Sequence, residues 1–173
     1  GSLEAFAQWL LVVFLSILLH EMAHAFAGRA FGRSPEIQIY AWGGRTSWSG
    51  VGGSSKPVHD LMIALAGPLA GMVVAGVCLL SRTRVDPENL ATLGLLRDIV
   101  WVNGAWGLVD LLPILPLDGG VALGGLVGMV RPARVESVTR LVSVVMACVA
   151  GAVAIAKGQS MMGVFALWLG FDN

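Results

Sequence analysis

The sequence predicts an all-α membrane protein: a multi-pass bundle of about four to six transmembrane helices, with a small β-hairpin between the first and second spans. Of its 173 residues, 56% are hydrophobic and 13% are charged, whereas soluble domains average about 25% charged residues. Long apolar runs recur, and a helix needs about 20 such residues to cross the hydrocarbon of a bilayer. One short segment instead alternates apolar and polar residues, which is typical of a strand.

The first apolar run extends from Ala5 to Leu19 and continues directly into the motif HEMAH at 20–24. An ionisable side chain in a membrane-spanning helix costs about 2.5–3.5 kcal/mol or more. Because three such side chains occur within this short motif, we interpret the motif as functional. Gly1 and Ser2, which precede the run, resemble a cloning remnant and are set aside.

Residues 36–53 follow with a different pattern, in which apolar and polar side chains alternate. Ile37 and Ile39 fall on one face of such a strand, and Gly43-Gly44 predict a turn. We therefore expect a β-hairpin or strand pair here.

The remaining apolar segments are long enough, or nearly long enough, to span a membrane, and they lie at 61–80, 99–117, 141–156 and 159–171. The last is short for a span. No internal repeat or linker is evident, so we expect a single domain over 3–173. Lys and Arg are more frequent in 28–57 and 119–140 than in the opposite loops, which predicts a cytoplasmic hairpin and an outside amino terminus.

Two histidines in the first span have the spacing of metal ligands. On a helix, the imidazoles of His20 and His24 lie on one face about one turn apart. This arrangement suits two ligands of one zinc ion, with Glu21 beside the water that the ion activates. We interpret Glu21 as the general base that takes the proton of this water. The alternative is a chance HExxH pattern on an ordinary helix.

A catalytic zinc ion needs a third protein ligand, and Asp118 is the favoured candidate. It ends an apolar span that Pro113 and Pro116 interrupt, and irregular backbone at membrane depth is tolerated only inside protein or beside a cavity. An Asp that merely caps a helix before the following glycines is one alternative. His59 as the ligand is another, although its place at the start of the second span favours an interfacial position.

Together, HEMAH at 20–24, AGPLAG at 66–71 and PLDGG at 116–120 resemble the motifs of the site-2 protease family of intramembrane zinc metalloproteases. In that family HExxH provides two zinc ligands and the base, and the LDG motif provides the third ligand. The strand region 36–53 resembles the family's β-loop, which is thought to receive an unwound substrate strand. The resemblance covers nearly the whole chain and corresponds to a minimal core without a PDZ or CBS domain.

This resemblance implies a zinc metalloendopeptidase with Zn²⁺ as cofactor, which hydrolyses peptide bonds within or near transmembrane segments in regulated intramembrane proteolysis. The implied substrate is a transmembrane protein, such as a membrane-anchored regulator. The enzyme is expected in the lipid bilayer of the cell membrane, with its active site towards the cytoplasmic side. A formal net charge of zero gives no indication of a nucleic-acid partner.

Two other functions fit an apolar chain with these residues. A catalytically inactive membrane scaffold would be expected to lack a ligand or the base, and HEMAH and PLDGG are both complete. A metal transporter would be expected to distribute its ionisable residues along a path through the bundle.

One position departs from the family pattern: Asp110 stands where the family usually has Asn, eight residues before the ligand Asp. We expect Asp110 to lie near the zinc ion without binding it and, as a protonated acid, to donate a hydrogen bond to a substrate carbonyl or the reacting oxygen. An ionised Asp110 that acts as a fourth ligand is the alternative. We assign Gly43 and Gly44, with Asp110, to substrate binding or oxyanion support.

Small residues recur at helical spacing in two places. Gly120, Gly124 and Gly128 form one such series, and Gly67 and Gly71 form another. Glycines at this spacing allow membrane helices to approach closely, so we interpret both series as packing surfaces, with an oligomer contact or a substrate path as the alternatives.

Overall fold

The structure, a computed structural model, describes residues 3–40, 43–49 and 56–171. Apart from one two-stranded sheet, its regular structure is helical: α1 (Leu3–Ala30), α2 (Pro57–Ser81), α3 (Leu90–Val100), α4 (Trp106–Asp110), α5 (Asp118–Val130), α6 (Val135–Ala156) and α7 (Ser160–Phe171). A π-helical turn, Trp101–Ala105, joins α3 to α4, and 3₁₀ turns lie at Arg82–Arg84 and Pro132–Arg134. The predicted fold class is confirmed.

In the part of the chain that the structure describes, three helical segments are long and apolar enough to cross a membrane, namely Leu3–Ala30, Pro57–Arg84 and Pro132–Ala156. Large apolar side chains on these segments point outward: Phe6 is 59% exposed, Val73 66% and Leu141 65%. Extensive exposed apolar surface is unfavourable in water. A bilayer around these helices accounts for it.

The predicted hairpin is present between α1 and α2. Strand β1 (Ser34–Tyr40) pairs antiparallel with β2 (Gly43–Ser49), and the register places Tyr40 opposite Gly43 and Ile39 opposite Gly44. The predicted turn at Gly43-Gly44 is therefore wrong, because both glycines belong to β2. Gly43 has φ of 151°, a conformation that favours glycine. Residues 41–42 and 50–53 of the predicted strand region lie outside the described residues.

The apolar segment 99–117 does not form one helix as its composition suggested. Helical structure begins earlier, at Leu90, where the side chain of Asn89 accepts a hydrogen bond from the Thr92 amide. It ends at Asp110, and the chain between α4 and α5 is irregular. Pro113 and Pro116 lie in that irregular part, where their missing N–H groups and fixed φ angles prevent a continuous helix.

The described residues cluster into two compact units, and the expectation of a single domain over 3–173 stays a prediction. The first unit comprises 1–54 and 66–109. Within it, α1 packs against the hairpin, α3 and the π-helical turn. Asn103 in that turn is buried, and its Nδ2 atom donates to Ser16 Oγ on α1 at 2.9 Å. This bond ties the π-helical turn to the helix that contains HEMAH.

The second unit comprises 55–65 and 110–173. Its core brings together Ile114 of the irregular segment, Ala147 of α6 and Leu169 of α7. Ser143 on α6 is fully buried, and its Oγ atom accepts a hydrogen bond from the Leu115 amide at 2.7 Å. The irregular segment is therefore held inside protein, which is the condition for irregular backbone at membrane depth.

Glycines of α5 allow close packing within the second unit. A Cβ atom on Gly125 would lie 2.8 Å from the Leu61 amide nitrogen, and one on Gly120 would lie 2.7 Å from the Leu115 amide nitrogen. A Cβ atom on Gly128 would lie 3.0 Å from Cβ of Pro57, and one on Gly124 would lie 3.7 Å from Oγ1 of Thr139. The glycine series at 120, 124 and 128 therefore lies at packing contacts, as its spacing predicted.

Candidate active site

Helix α1 places the two predicted histidine ligands side by side. The Nε2 atoms of His20 and His24 are 3.0 Å apart, and the two rings meet edge-on with centroids separated by 4.7 Å. His24 is buried and His20 is half-buried. This arrangement follows directly from a four-residue separation on a helix, and it directs two ring nitrogens to the same point.

Asp118 supplies a carboxylate to the same group. Among the residues that the structure describes, His20, His24 and Asp118 form a group whose ligand atoms all lie within 4.8 Å of one another. Two imidazole nitrogens and one carboxylate oxygen are a donor set that suits a catalytic zinc ion and leaves a fourth position open. The residues present therefore fit the metal that the sequence predicted.

The local setting of Asp118 differs from the prediction. It does not end a span but begins α5 as the first residue of that helix. The positive end of a helix dipole lies at the amino terminus, so this position favours an ionised carboxylate. The signal in the sequence was the irregular stretch with Pro113 and Pro116, which delays the start of α5 until Asp118.

Two other residues considered as ligands are not members of this group. His59 lies in the first turn of α2, and Asp110 is half-buried at the end of α4. The group that can hold a metal ion contains neither of them. The protonation of Asp110 and its predicted role towards substrate stay predictions.

Gly67 on α2 lies directly against both imidazoles. A Cβ atom on Gly67 would lie 2.6 Å from His20 Nε2 and closer still to His24 Nε2. A residue with a side chain would therefore displace the two nitrogens that are directed at the metal position. The spacing of Gly67 and Gly71 favours helix packing and gives no indication of the contact between Gly67 and the two imidazoles. The AGP motif in which it lies was the available signal.

Glu21 is buried, with 6% of its surface exposed, and it contacts β2 of the hairpin. Thr46 Oγ1 lies 2.6 Å from Glu21 Oε2 and 3.1 Å from the main-chain oxygen of the same residue. A Cβ atom on Gly44 would lie 2.7 Å from Glu21 Oε1. Gly44 therefore lies against the predicted general base, and its predicted role in substrate binding or oxyanion support stays a prediction.

A second contact fixes the hairpin farther along α1. Trp48 packs on Gly28 so closely that a Cβ atom there would lie 3.2 Å from Cε3 of the ring and nearer to other ring atoms. The guanidinium of Arg33 lies over the same ring, 5.3 Å from its centroid. Such cation–π contacts stabilise by about 0.5–2 kcal/mol. The sequence analysis missed the contact of Thr46 with Glu21 and the contact of Trp48 with Gly28.

Relatives of this chain include proteins named zinc metalloproteases. Rip3 of Mycobacterium tuberculosis is 32% identical over 132 residues, which cover 69% of this chain and 32% of that protein. The protein sll0528 of Synechocystis is 31% identical over 120 residues, 68% of this chain and 30% of that protein. MJ0392 of Methanocaldococcus jannaschii is 27% identical over 111 residues, 64% of this chain and 31% of that protein. The chain thus spans about a third of the length of these relatives.

Among solved structures, the site-2 protease from Methanocaldococcus jannaschii is similar to this chain with a TM-score of 0.66 and 20% sequence identity. The match covers 95% of this chain and 75% of that chain. At this identity the likeness establishes the fold. No protein-family model matches the chain.

We predict that His24→Ala or Asp118→Ala will remove most of the zinc from the purified protein. Mutation of a residue that only orients a metal ligand typically weakens metal binding by roughly 10–100-fold. Loss of a direct ligand should therefore weaken zinc binding by more than about 100-fold. Metal analysis by mass spectrometry measures the zinc content, and His59→Ala is the control expected to keep it. Loss of zinc in His59→Ala with retention in Asp118→Ala would show that the ligand set is wrong.

We also predict that Gly67→Ala will reduce zinc affinity by roughly tenfold or more, because the added methyl group displaces both imidazole nitrogens. Gly76→Ala is the matched control on the same helix, since a Cβ atom at Gly76 meets nothing within 4 Å. Competition with a chelator of known affinity measures zinc binding in each variant. Equal zinc affinity in the two variants would contradict the described contact.

Proposed function

Because this chain belongs to the site-2 protease family of zinc metalloproteases, we propose that it hydrolyses peptide bonds within or near transmembrane segments of membrane-anchored proteins. The observation that supports this function best is the position of the predicted base. Glu21 is buried beside His20 on a helix that is long and apolar enough to span a membrane. A site at such a position meets substrates that are themselves in the bilayer.

The predicted base and ligands have separate roles in the reaction. His20, His24 and Asp118 would hold the zinc ion, which when bound would supply a Lewis acid for the carbonyl group and the attacking water. Glu21 accepts the proton of the attacking water and delivers it to the leaving amine. Thr46 donates a hydrogen bond to Oε2 of Glu21, and the carboxylate has further acceptor sites for that proton.

The hairpin provides the means to hold a substrate. A helical peptide bond is shielded by its own turns, so a transmembrane substrate must be locally unwound before water reaches it. Strands β1 and β2 form a two-stranded sheet in the described part of the chain, and an extended peptide adds to such a sheet through main-chain hydrogen bonds. In this proposal, the extended substrate pairs with the hairpin near Gly43 and Gly44, beside Glu21.

The orientation of the site follows from the basic residues near the hairpin. Arg29, Arg33, Arg45 and Lys56 lie on the side where α1 ends and α2 begins. In this proposal that side faces the cytoplasm and the start of α1 faces the outside of the cell membrane, because cytoplasmic loops have an excess of basic residues. A membrane-anchored regulator would then be cut near its cytoplasmic end, which suits the release of a signalling fragment.

We predict that Glu21→Gln will abolish most proteolysis while the protein keeps its zinc and its fold. The amide is nearly the same size but does not accept a proton, and loss of a general base typically costs about 10²–10⁴ in rate. The measurement is cleavage of a panel of membrane-anchored regulators from the same genome by purified protein in detergent. Near wild-type cleavage by Glu21→Gln would disprove the mechanism. A zinc-loaded wild type that cleaves none of them would favour an inactive scaffold.

For Asp110, we predict that replacement by Asn keeps cleavage whereas replacement by Ala removes it, with zinc bound in both variants. The amide of Asn donates the hydrogen bond that we assign to the protonated acid, and Ala has no donor. Loss of one such bond in the transition state should reduce kcat by roughly 10²–10³. Parallel measurements of kcat and zinc content test this. Loss of zinc in Asp110→Asn would identify Asp110 as a ligand.

A further inference from the structure

Thr46 is the described hairpin residue whose side chain hydrogen-bonds to the predicted general base. We propose that Thr46 is a positioning residue that fixes the Glu21 carboxylate and thereby couples the hairpin to the catalytic base. This inference rests on the proposed function and extends it. It assigns the hairpin a second task besides receiving an extended peptide.

The geometry of the contact supports a directed hydrogen bond. Thr46 Oγ1 has one proton and two acceptors of Glu21 within reach, with Oε2 at 2.6 Å and the main-chain oxygen at 3.1 Å. The nearer acceptor belongs to a carboxylate, and hydrogen bonds to charged acceptors are shorter and stronger than neutral ones. Glu21 is buried, so little water competes with the hydroxyl group. The bond therefore selects one carboxylate orientation.

Other residues on the same face of β2 also contact α1. Positions 44, 46 and 48 lie on the same face of β2, because successive residues of a strand point to opposite faces. Gly44 and Thr46 both meet Glu21, and Trp48 meets Gly28 two helical turns later on α1. One face of β2 therefore lies along one face of α1, with close contacts at both ends.

This arrangement has a consequence for a substrate strand. A peptide that adds to the hairpin takes its register from the main-chain groups of the sheet. Because Thr46 is part of that sheet and also holds Glu21, the same strand fixes both the peptide and the base. The distance between the scissile bond and the base then depends on β2, and a displaced hairpin would misplace both.

The kinetic test compares Thr46→Val, which keeps the shape but has no donor, with Thr46→Ser, which keeps the hydroxyl group. We expect Thr46→Val to lower kcat by roughly 10–100-fold, the equivalent of a hydrogen bond to a charged group. KM and zinc content should stay within about twofold of the wild type, and Thr46→Ser should restore most of kcat. Thr83→Val is the matched control, since its exposed hydroxyl donates to the Leu80 oxygen outside the site.

A second test needs no substrate and therefore separates this inference from the proposed function. Hydrogen–deuterium exchange reports how firmly residues 43–49 are held. Thr46→Val and Glu21→Ala each remove one end of the bond and should accelerate exchange there at least about threefold, whereas Thr46→Ser and Glu21→Gln should not. Absence of proteolysis in the wild type would overturn the proposed function and leave this exchange prediction standing.

The positioning role is overturned by either of two results. One is wild-type kcat and wild-type exchange in Thr46→Val, which would mean that the hydroxyl group does nothing measurable. The other is a Thr46→Ser variant as impaired as Thr46→Val, which would mean that the lost methyl packing, and not the hydrogen bond, is what matters.

Discussion

The cost of placing ionisable side chains in an apolar helix is the constraint on which the rest of this structure depends. Each such group costs about 2.5–3.5 kcal/mol or more in a membrane span, and α1 contains three of them within the motif at 20–24. Partners from separate parts of the chain offset that cost. Thr46 of β2 donates to Glu21, and the carboxylate of Asp118 joins the two imidazoles in a group that suits a cation. The ionisable side chains of α1 are tolerated because they contact other polar groups instead of lipid.

Three glycines leave the space that close contacts with α1 require. Gly67 leaves room for the imidazoles, Gly44 leaves room for Glu21, and Gly28 leaves room for the ring of Trp48. In each case a single methyl group would occupy space that another side chain fills. Glycine in this protein therefore determines how closely the elements around α1 approach it. That function differs from the flexible turns with which glycine is often associated.

Composition, long apolar runs and local periodicity were sufficient to predict the fold class and to bring the two histidines together. A four-residue spacing on a helix brings His20 and His24 together, and alternation of apolar and polar residues produces the hairpin. The rest depends on tertiary contacts that no local pattern encodes. Gly43 and Gly44 pair as strand residues, although a glycine pair between alternating segments indicates a turn.

The ends of the helices and the hydrogen-bond partner of Glu21 could not be predicted from the sequence either, because they also depend on tertiary contacts. An apolar run such as 99–117 looks equally apolar on both sides of the point where its helix ends. Thr46 is one of several hydroxyl residues near the hairpin, and only the packing of β2 along α1 selects it as the partner of Glu21. Propensity and spacing describe a single helix or strand, whereas the end of this helix and the partner of Glu21 are determined by contacts between elements.

The π-helical turn at Trp101–Ala105 has an implication for comparing this chain with its relatives. A π-helical turn contains one residue more than an α-helical turn. If residues are counted across it as though the helix were regular, the predicted direction of a side chain is wrong by about 100°. The faces of α4 relative to α3 are therefore not obtained by counting α-helical turns across Trp101–Ala105. A relative with one residue fewer and a continuous α-helix here would present the residues of α4 in the same directions, because the π-helical turn absorbs the extra residue. An aligned pair of residues on the two sides of this turn can thus be equivalent in position although their sequence separation differs by one.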